Sequence, residues 1–296
     1  MKVLIFGANG MLGHKLYQVL RPAFEVWGTV RGQATDLETF GFYDTDKIIG
    51  DVEALNFEGV KQTLEFVAPD VVINAIGAVK QVAAGKDTEL ATLVNSTFPH
   101  RLVDLTTTSG QRLITISTDC VFSGTKGNYS ESDVSDATDV YGISKYRGEP
   151  AGENVLVLRT SMIGRELQSQ HGLVEWFLAH RGKTIPGYAQ AVFSGLTTIR
   201  LAHLIKHLIT QHSDLSGLYH VSSDPISKFD LLASLNEAFA TATVIEASND
   251  VEIDRSLDST LFRSATGWRP PSWREMISEL AADPTPYERW RGAEVT

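Results

Sequence analysis

Apolar runs of strand length alternate along the first half of the chain with segments whose apolar residues recur at helical spacing. "KVLIF" (2–6) reads as a buried strand and "MLGHKLYQVL" (11–20) as the helix after it. "FEVWGTV" (24–30) reads as a second strand, "IIGDV" (48–52) as a short third, and "FEGVKQTLEFV" (57–67) as a helix. "DVVINAIG" (70–77) follows as a strand, then a helix from about Thr88 to Ser109, then "RLITIST" (112–118) as the next strand. "YGISKYRGE" (141–149) has helical character and "NVLVLRT" (154–160) is again strand-like. Continuous apolar strands separated by helices imply a parallel sheet covered on both faces. Right-handed crossovers turn such a succession into a doubly wound α/β fold of the Rossmann type.

Beyond Ser161 the alternation loosens. "GLVEWFLAHR", "TTIRLAHLIKHLI", "FDLLASLNEAF" and "SWREMISELAA" read as amphipathic helices. The expected division is a dinucleotide-binding domain over 1–162, rejoined by 190–222, and a smaller, mostly helical substrate-binding lobe over 163–189 and 223–296.

At 296 residues, 43% hydrophobic, the chain has material for one large core with an added lobe. The net charge of −10 disfavours nucleic acid, which needs a basic face. A small anionic ligand stays compatible, because backbone amides at a helix start bind anions even in an acidic protein. Cys120 is the single cysteine, so no intrachain disulfide forms and a reducing, cytoplasmic setting fits. The apolar run after Met1 is too short for a signal-peptide core, and none approaches the roughly 18 residues of a membrane span. No metal-ligand pattern is expected.

Where the first strand meets the first helix, "GANGMLG" places Gly7, Gly10 and Gly13 at G-x-x-G-x-x-G spacing. Such a turn needs glycine for tightness, for backbone approach to a pyrophosphate and for close helix–strand packing. The helix start then offers free N–H groups to phosphate. Asn9, Met11 and Leu12 belong to the same turn. At the end of the second strand, where an acid would read the ribose hydroxyl of NAD, the chain has Arg31 in "GTVRG". A cation suits a 2′-phosphate, which favours NADPH over NADH. Asp51, next to Val52, is placed to accept from an adenine amino group.

Tyr141 and Lys145 are four residues apart, so on a helix they share a face. An ammonium beside a phenol is expected to lower the phenol's pKa and ready it for proton transfer near neutral pH. Thr118, at the end of the preceding strand, is placed to hold a substrate oxygen. The acids between them, Glu131, Asp133, Asp136 and Asp139, read by default as a solvated face.

Taken together, "GANGMLG", "DVVINAIGAV", "STDCVFSG", "YGISKYRGE", "LVLRTSMIG", "GLYHVSS" and "SLDSTLFRSATGW" resemble the extended short-chain dehydrogenases/reductases. Within them the match is to the dTDP-4-dehydrorhamnose reductase-like, sugar-nucleotide-binding branch, over nearly the whole chain. The resemblance implies an oxidoreductase of polysaccharide biosynthesis, with hydride transfer between NADPH and the C4 ketone of a nucleotide sugar. It implies Thr118, Tyr141 and Lys145 as the catalytic set, the last two also touching cofactor. It implies Asn74, Ala75 and Gly77 as cofactor lining, Arg159 and Thr160 near the substrate, and an ordering role for Glu131 and Asp133. Asp119, Cys120, His171 and Trp176 are the expected substrate-side residues, and a homodimer is compatible.

One residue departs from the branch pattern, which usually has Tyr where this chain has Cys120. A related epimerase–reductase, GDP-fucose synthase, carries a Cys there and a His downstream, and His171 falls roughly at that place. A thiolate–imidazole pair would exchange a proton beside a ketone. The plainer reading makes Cys120 a small buried apolar residue and His171 a surface residue. A third alternative is a non-catalytic NADP-binding regulatory subunit, and the intact Tyr–Lys pair favours the enzyme.

Overall fold

The computed structural model describes residues 1–78 and 87–291. In chain order the strands begin with β1 (Lys2–Phe6), β2 (Glu25–Thr29), β3 (Ile48–Ile49), β4 (Val71–Asn74), β5 (Arg112–Thr118) and β6 (Val155–Thr160). They continue with β7 (Met162–Ile163), β8 (Thr184–Tyr188), β9 (Ala191–Phe193) and β10 (Leu196–Thr197). The last four are β11 (Gly217–His220), β12 (Ile226–Ser227), β13 (Val244–Ser248) and β14 (Ile253–Asp254). The α-helices are α1 (Gly13–Leu20), α2 (Phe57–Val67), α3 (Thr88–Ala91), α4 (Phe98–Thr108), α5 (Val140–Arg147) and α6 (Leu173–Leu178). Then come α7 (Thr198–Gln211), α8 (Lys228–Phe239), α9 (Thr260–Thr266), α10 (Trp273–Ala281) and α11 (Tyr287–Arg291).

Seven strands form one parallel sheet in the order β3-β2-β1-β4-β5-β6-β11. Strand alternation divides the interior. Val3 and Ile5 face one core with Leu16, Leu201 and Leu204, while Leu4 and Phe6 face the other with Val60, Leu64 and Phe98. Both faces are covered, which is why these strands read as unbroken apolar runs. The strand order reverses between β1 and β4, where such sheets open a ligand crevice at their carboxyl ends. The Tyr and Thr motifs and the glycine turn all emerge at that end.

Several elements are shorter than the pattern predicts, each for a local reason. β3 stops at Ile49, and soon after it Asp51 takes a left-handed backbone (φ 57°) that turns the chain out of the sheet. The predicted helix from Thr88 is present but contains a π-helical segment over Thr92–Thr97 between α3 and α4. The lobe adds small sheets to its helices: β13 pairs with β8, and β9 lies between β12 and β14. Among the described residues no helix is long and apolar enough to cross a membrane.

Candidate active site

The glycine turn is built by collision. A Cβ on Gly13 would run into the Gly7 carbonyl, and Gly7 itself has φ 84°, open to glycine at no steric cost. The turn, together with Thr29, Val30, Arg31, Val52, Ala75, Ile76 and Gly77, lines a cavity of about 340 Å³. A second cavity of about 380 Å³ adjoins it around Asn9, Arg31, Gln33, Asp36 and Gln168. Arg31 is exposed at the rim of both, and Asn9 lines both. Leu12 is buried at the start of α1, and Met11 packs near Gly172. The Asp51 carboxylate is engaged by the Gln33 amide at 2.8 and 3.0 Å, so it points along the rim.

The opposite wall follows β4. The Asn74 side-chain oxygen accepts from Ile76 N–H (3.1 Å), and Ala75 N–H donates to the Phe6 carbonyl (3.1 Å). Gly77 is followed by Ala78, whose N–H and C=O are both bound by the buried Asn95 side chain (2.8 and 3.0 Å). The next residue of the motif, Val79, lies outside the described residues. Asn95 also donates to the Ser144 hydroxyl (3.0 Å) on α5. This asparagine, in the π segment, thus ties the cavity wall to the helix that carries Tyr141 and Lys145. Among the polar residues of 88–109 the sequence does not single it out; its burial and its place in the π segment do, and π segments collect at functional sites.

Thr118, Tyr141 and Lys145 converge at the carboxyl end of β5. The Thr118 hydroxyl accepts from Cys120 N–H (3.1 Å) and contacts Asp119 (3.2 Å). Gly142 lets α5 close onto this turn, since a Cβ there would meet the Cys120 carbonyl. Lys145 is buried and donates to the Ile116 carbonyl at 2.7 Å. Burial draws its pKa down to about 8 against the opposing pull of Glu149. The Tyr141 phenol is raised above its ordinary value by desolvation first and by negative neighbours at Cys120, Asp119 and Asp139. The expected lowering by the lysine is therefore corrected: the Tyr141 phenol is held neutral.

Burial likewise pushes the Cys120 thiol up to about 12, with the Asp119 carboxylate acting in the same direction. Desolvation raises Asp119 too, opposed by Arg255 and Lys228, two lobe cations absent from the sequence reading. His171 is exposed just ahead of α6, next to Gly172, which packs on Glu166 and Met11. Asp119, Arg255, Lys228 and Thr118 all act on Cys120. Trp176 is half-buried on α6 with its ring 4.7 Å from that of His180.

The four loop acids do more than face water. Glu131 accepts from His220 N–H (2.7 Å), Asp133 from Ser130 N–H (2.7 Å), Asp136 from Ser123 N–H (2.6 Å) and Asp139 from Gly142 N–H (2.8 Å). Each fixes a backbone amide; Asp133 and Asp136 do so while still facing water, as expected, and Glu131 does so in a partly buried contact. Behind the site, Arg159 pairs with Glu149 (2.7 Å), which also receives the Ser117 hydroxyl (2.5 Å). Thr160, buried beside it, ends β6 in register with Thr118. Among the described residues no cluster of three His, Cys, Asp or Glu side chains is arranged to hold a metal ion.

Comparison with known families matches the model described as the RmlD substrate binding domain over residues 1–285. The chain belongs to the RmlD substrate binding domain family. It is 28% identical over 260 residues to a dTDP-4-dehydrorhamnose reductase of Escherichia coli, covering 84% of this chain and 82% of that one. It is 28% identical over 302 residues to a probable low-salt glycan biosynthesis reductase of Haloferax volcanii, covering 95% and 98%. A crystal structure of a Bacillus anthracis dTDP-4-dehydrorhamnose reductase in complex with NADP superposes with a TM-score of 0.79 at 22% identity, covering 95% and 99%. The family thus spans the sheet, the lobe and every site residue described above, and only the last turns of the chain fall beyond it.

Proposed function

We propose that this protein is an NADPH-dependent reductase of the C4 ketone of a nucleotide-linked deoxysugar, in the manner of dTDP-4-dehydrorhamnose reductases. The observation that carries the reading is the meeting of Thr118, Tyr141 and Lys145 at the sheet's carboxyl end beside a turn that requires glycine at Gly7 and Gly13, in a chain of this family. NADPH, when bound, supplies the hydride. The chain's own residues do the rest. The N–H groups at the start of α1 meet the pyrophosphate, and Arg31 meets the 2′-phosphate. Asn74, Ala75 and Gly77 form the wall opposite the turn. The Thr118 hydroxyl holds the ketone oxygen, and neutral Tyr141 donates its proton to that oxygen as it becomes a hydroxyl. The Lys145 ammonium holds the cofactor ribose and offsets charge on the phenolate that remains.

The lobe over 163–189 and 223–296, of which 292–296 lie outside the described residues, covers the sugar nucleotide; of 190–222, β9 pairs with lobe strands β12 and β14, and β11 returns to the sheet. Its Lys228 and Arg255 add positive charge near Asp119 and Cys120. The epimerase reading is disfavoured: burial and the Asp119 carboxylate push the Cys120 thiol up to about 12, which makes it a poor base at neutral pH, and His171 is exposed. A cytoplasmic setting accords with the single cysteine, left free.

The test is NADPH oxidation with dTDP-4-dehydrorhamnose, on wild type, Tyr141→Phe and Arg31→Ala. Tyr141→Phe should lose about 10²–10⁴-fold in turnover with NADPH affinity nearly unchanged. Arg31→Ala should weaken NADPH binding and leave NADH binding as it was. Full turnover in Tyr141→Phe would remove the phenol from the mechanism. Equal affinity of the wild type for the two cofactors would remove the NADPH preference.

A further inference from the structure

The family match ends at residue 285, yet the next residues are tightly engaged with the glycine turn. Tyr287 is fully buried, and its hydroxyl lies 2.8 Å from Nε2 of His14, itself wholly buried on α1. The other ring nitrogen, Nδ1, lies 2.9 Å from the Gly10 carbonyl oxygen. That oxygen can only accept, so Nδ1 carries the proton and Nε2 is bare. The Tyr287 hydroxyl has one proton for two acceptors, Nε2 and the Asp283 carboxylate. It lies 3.0 Å from Asp283, whose carboxylate is already met by the Lys15 ammonium at 2.5 Å and by Thr285.

The consequence reaches the turn through the rigid peptide unit. In a trans peptide the C=O and the following N–H point opposite ways. Holding the Gly10 carbonyl toward His14 therefore holds the Met11 N–H pointing away from it. A second arm leaves the same helix. Trp290 packs edge-on against Phe40 (centroids 4.8 Å apart) and lies against Phe42, in the segment that follows Arg31. That aromatic group includes Tyr43, whose hydroxyl donates to the Ala8 carbonyl at 2.8 Å. Two carbonyls of the turn thus meet side chains braced on α11: that of Ala8 meets Tyr43, and that of Gly10, bound also by the His14 N–H in the first turn of α1 (3.1 Å), meets the His14 ring.

We infer that the segment from Asp283 to Trp290 is a positioning element for the cofactor turn, with Tyr287 acting through His14 and Trp290 through the Phe40–Tyr43 aromatic group. It rests on reading the turn as the cofactor's phosphate site. Neither residue touches the reacting atoms. Each sets how ready the turn's N–H groups are before the cofactor arrives, so the effect belongs to cofactor affinity and not to the chemical step.

The experiment uses the full-length chain. NADPH affinity is read directly by fluorescence titration for wild type, Tyr287→Phe, Trp290→Ala and Trp290→Phe, alongside melting temperature and amide hydrogen exchange at Met11 and Leu12 without cofactor. Tyr287→Phe strands a buried ring nitrogen, so NADPH binding should weaken about tenfold and exchange at Met11 should quicken. Trp290→Ala should do likewise, with Trp290→Phe restoring most of the affinity. Turnover at saturating NADPH should stay within about twofold of wild type. Variants that melt earlier but bind NADPH as tightly as wild type overturn the inference, since that is what a merely structural contact would give. If Tyr287→Phe does not fold, the comparison of Trp290→Ala with Trp290→Phe decides. If wild type itself binds no NADPH, the cofactor reading fails separately, and unchanged exchange at Met11 and Leu12 in the variants would then sink the positioning claim as well.

Discussion

Lys145 shows how a single buried ammonium can push catalysis and stability in opposite directions. Its pKa is lowered from 10.5 to about 8 by desolvation. Below pH 8 it is charged in both folded and unfolded chains, and the burial penalty on the folded state is at its full size. Between about 8 and 10.5 the unfolded chain binds the proton and the folded chain does not, so this residue's contribution to stability improves as pH rises. The ammonium that the proposed mechanism sets beside the phenolate loses its charge over the same window. Activity should therefore decline as pH passes through about 8, while the Lys145→Met variant, folded with no ammonium to bury, gains most over wild type in melting temperature below that pH. Parallel decline of activity and of the Lys145 contribution to stability would contradict this.

Cys120 makes the second prediction at this scale. A thiol held near pKa 12 is almost wholly protonated at pH 7. Iodoacetamide should label it far more slowly than a free thiol of ordinary pKa. Cys120→Ser should keep reduction within a few-fold. With NADP⁺ and no reductant, wild type should incorporate no deuterium beside the ketone from D₂O. Incorporation that vanishes in Cys120→Ser would restore the base role.

Among the elements, α5 depends on what precedes it. Asp139 caps its first turn through Gly142 N–H, Gly142 admits the Cys120 carbonyl, and Gly148 ends it against Asn95, where a Cβ would meet the Asn95 carbonyl. Removing the cap should cost about 1 kcal/mol. For Asp139→Ala that predicts a fall in melting temperature of roughly 2–4 °C, and a loss of turnover larger than the loss of cofactor affinity, because Tyr141 sits in the uncapped first turn. The strands and helices up to Thr160 could be read from periodicity, since each was buried on two faces or one. Glycine spacing located the turn, and the Tyr–Lys spacing located α5. What resisted reading was non-local. The roles of the loop acids depend on which backbone amides come near, and Glu131 finds its partner at His220, far along the chain. The lobe's small sheets escaped for a similar reason: β7, β10, β12 and β14 are two residues long, too short for any period to appear.

At the scale of the whole molecule, the open sheet has two ends. A parallel sheet that does not close leaves backbone groups at its rim able to recruit a strand from another chain. On one side the rim is β3, only two residues long, which offers little template. On the other it is β11, with β6 on its inner side, and there the Glu131 carboxylate takes the His220 N–H at 2.7 Å. A charge seated on that donor makes the rim unattractive to a visiting strand. The loop acid thus occupies a β11 donor that strand addition at this rim would need. Glu131→Ala should lower the temperature at which light scattering rises on heating by several degrees more than it lowers the unfolding midpoint, and dilution should narrow the gap. A scattering onset that simply tracks unfolding would mean that the β11 rim is not where the chains stick.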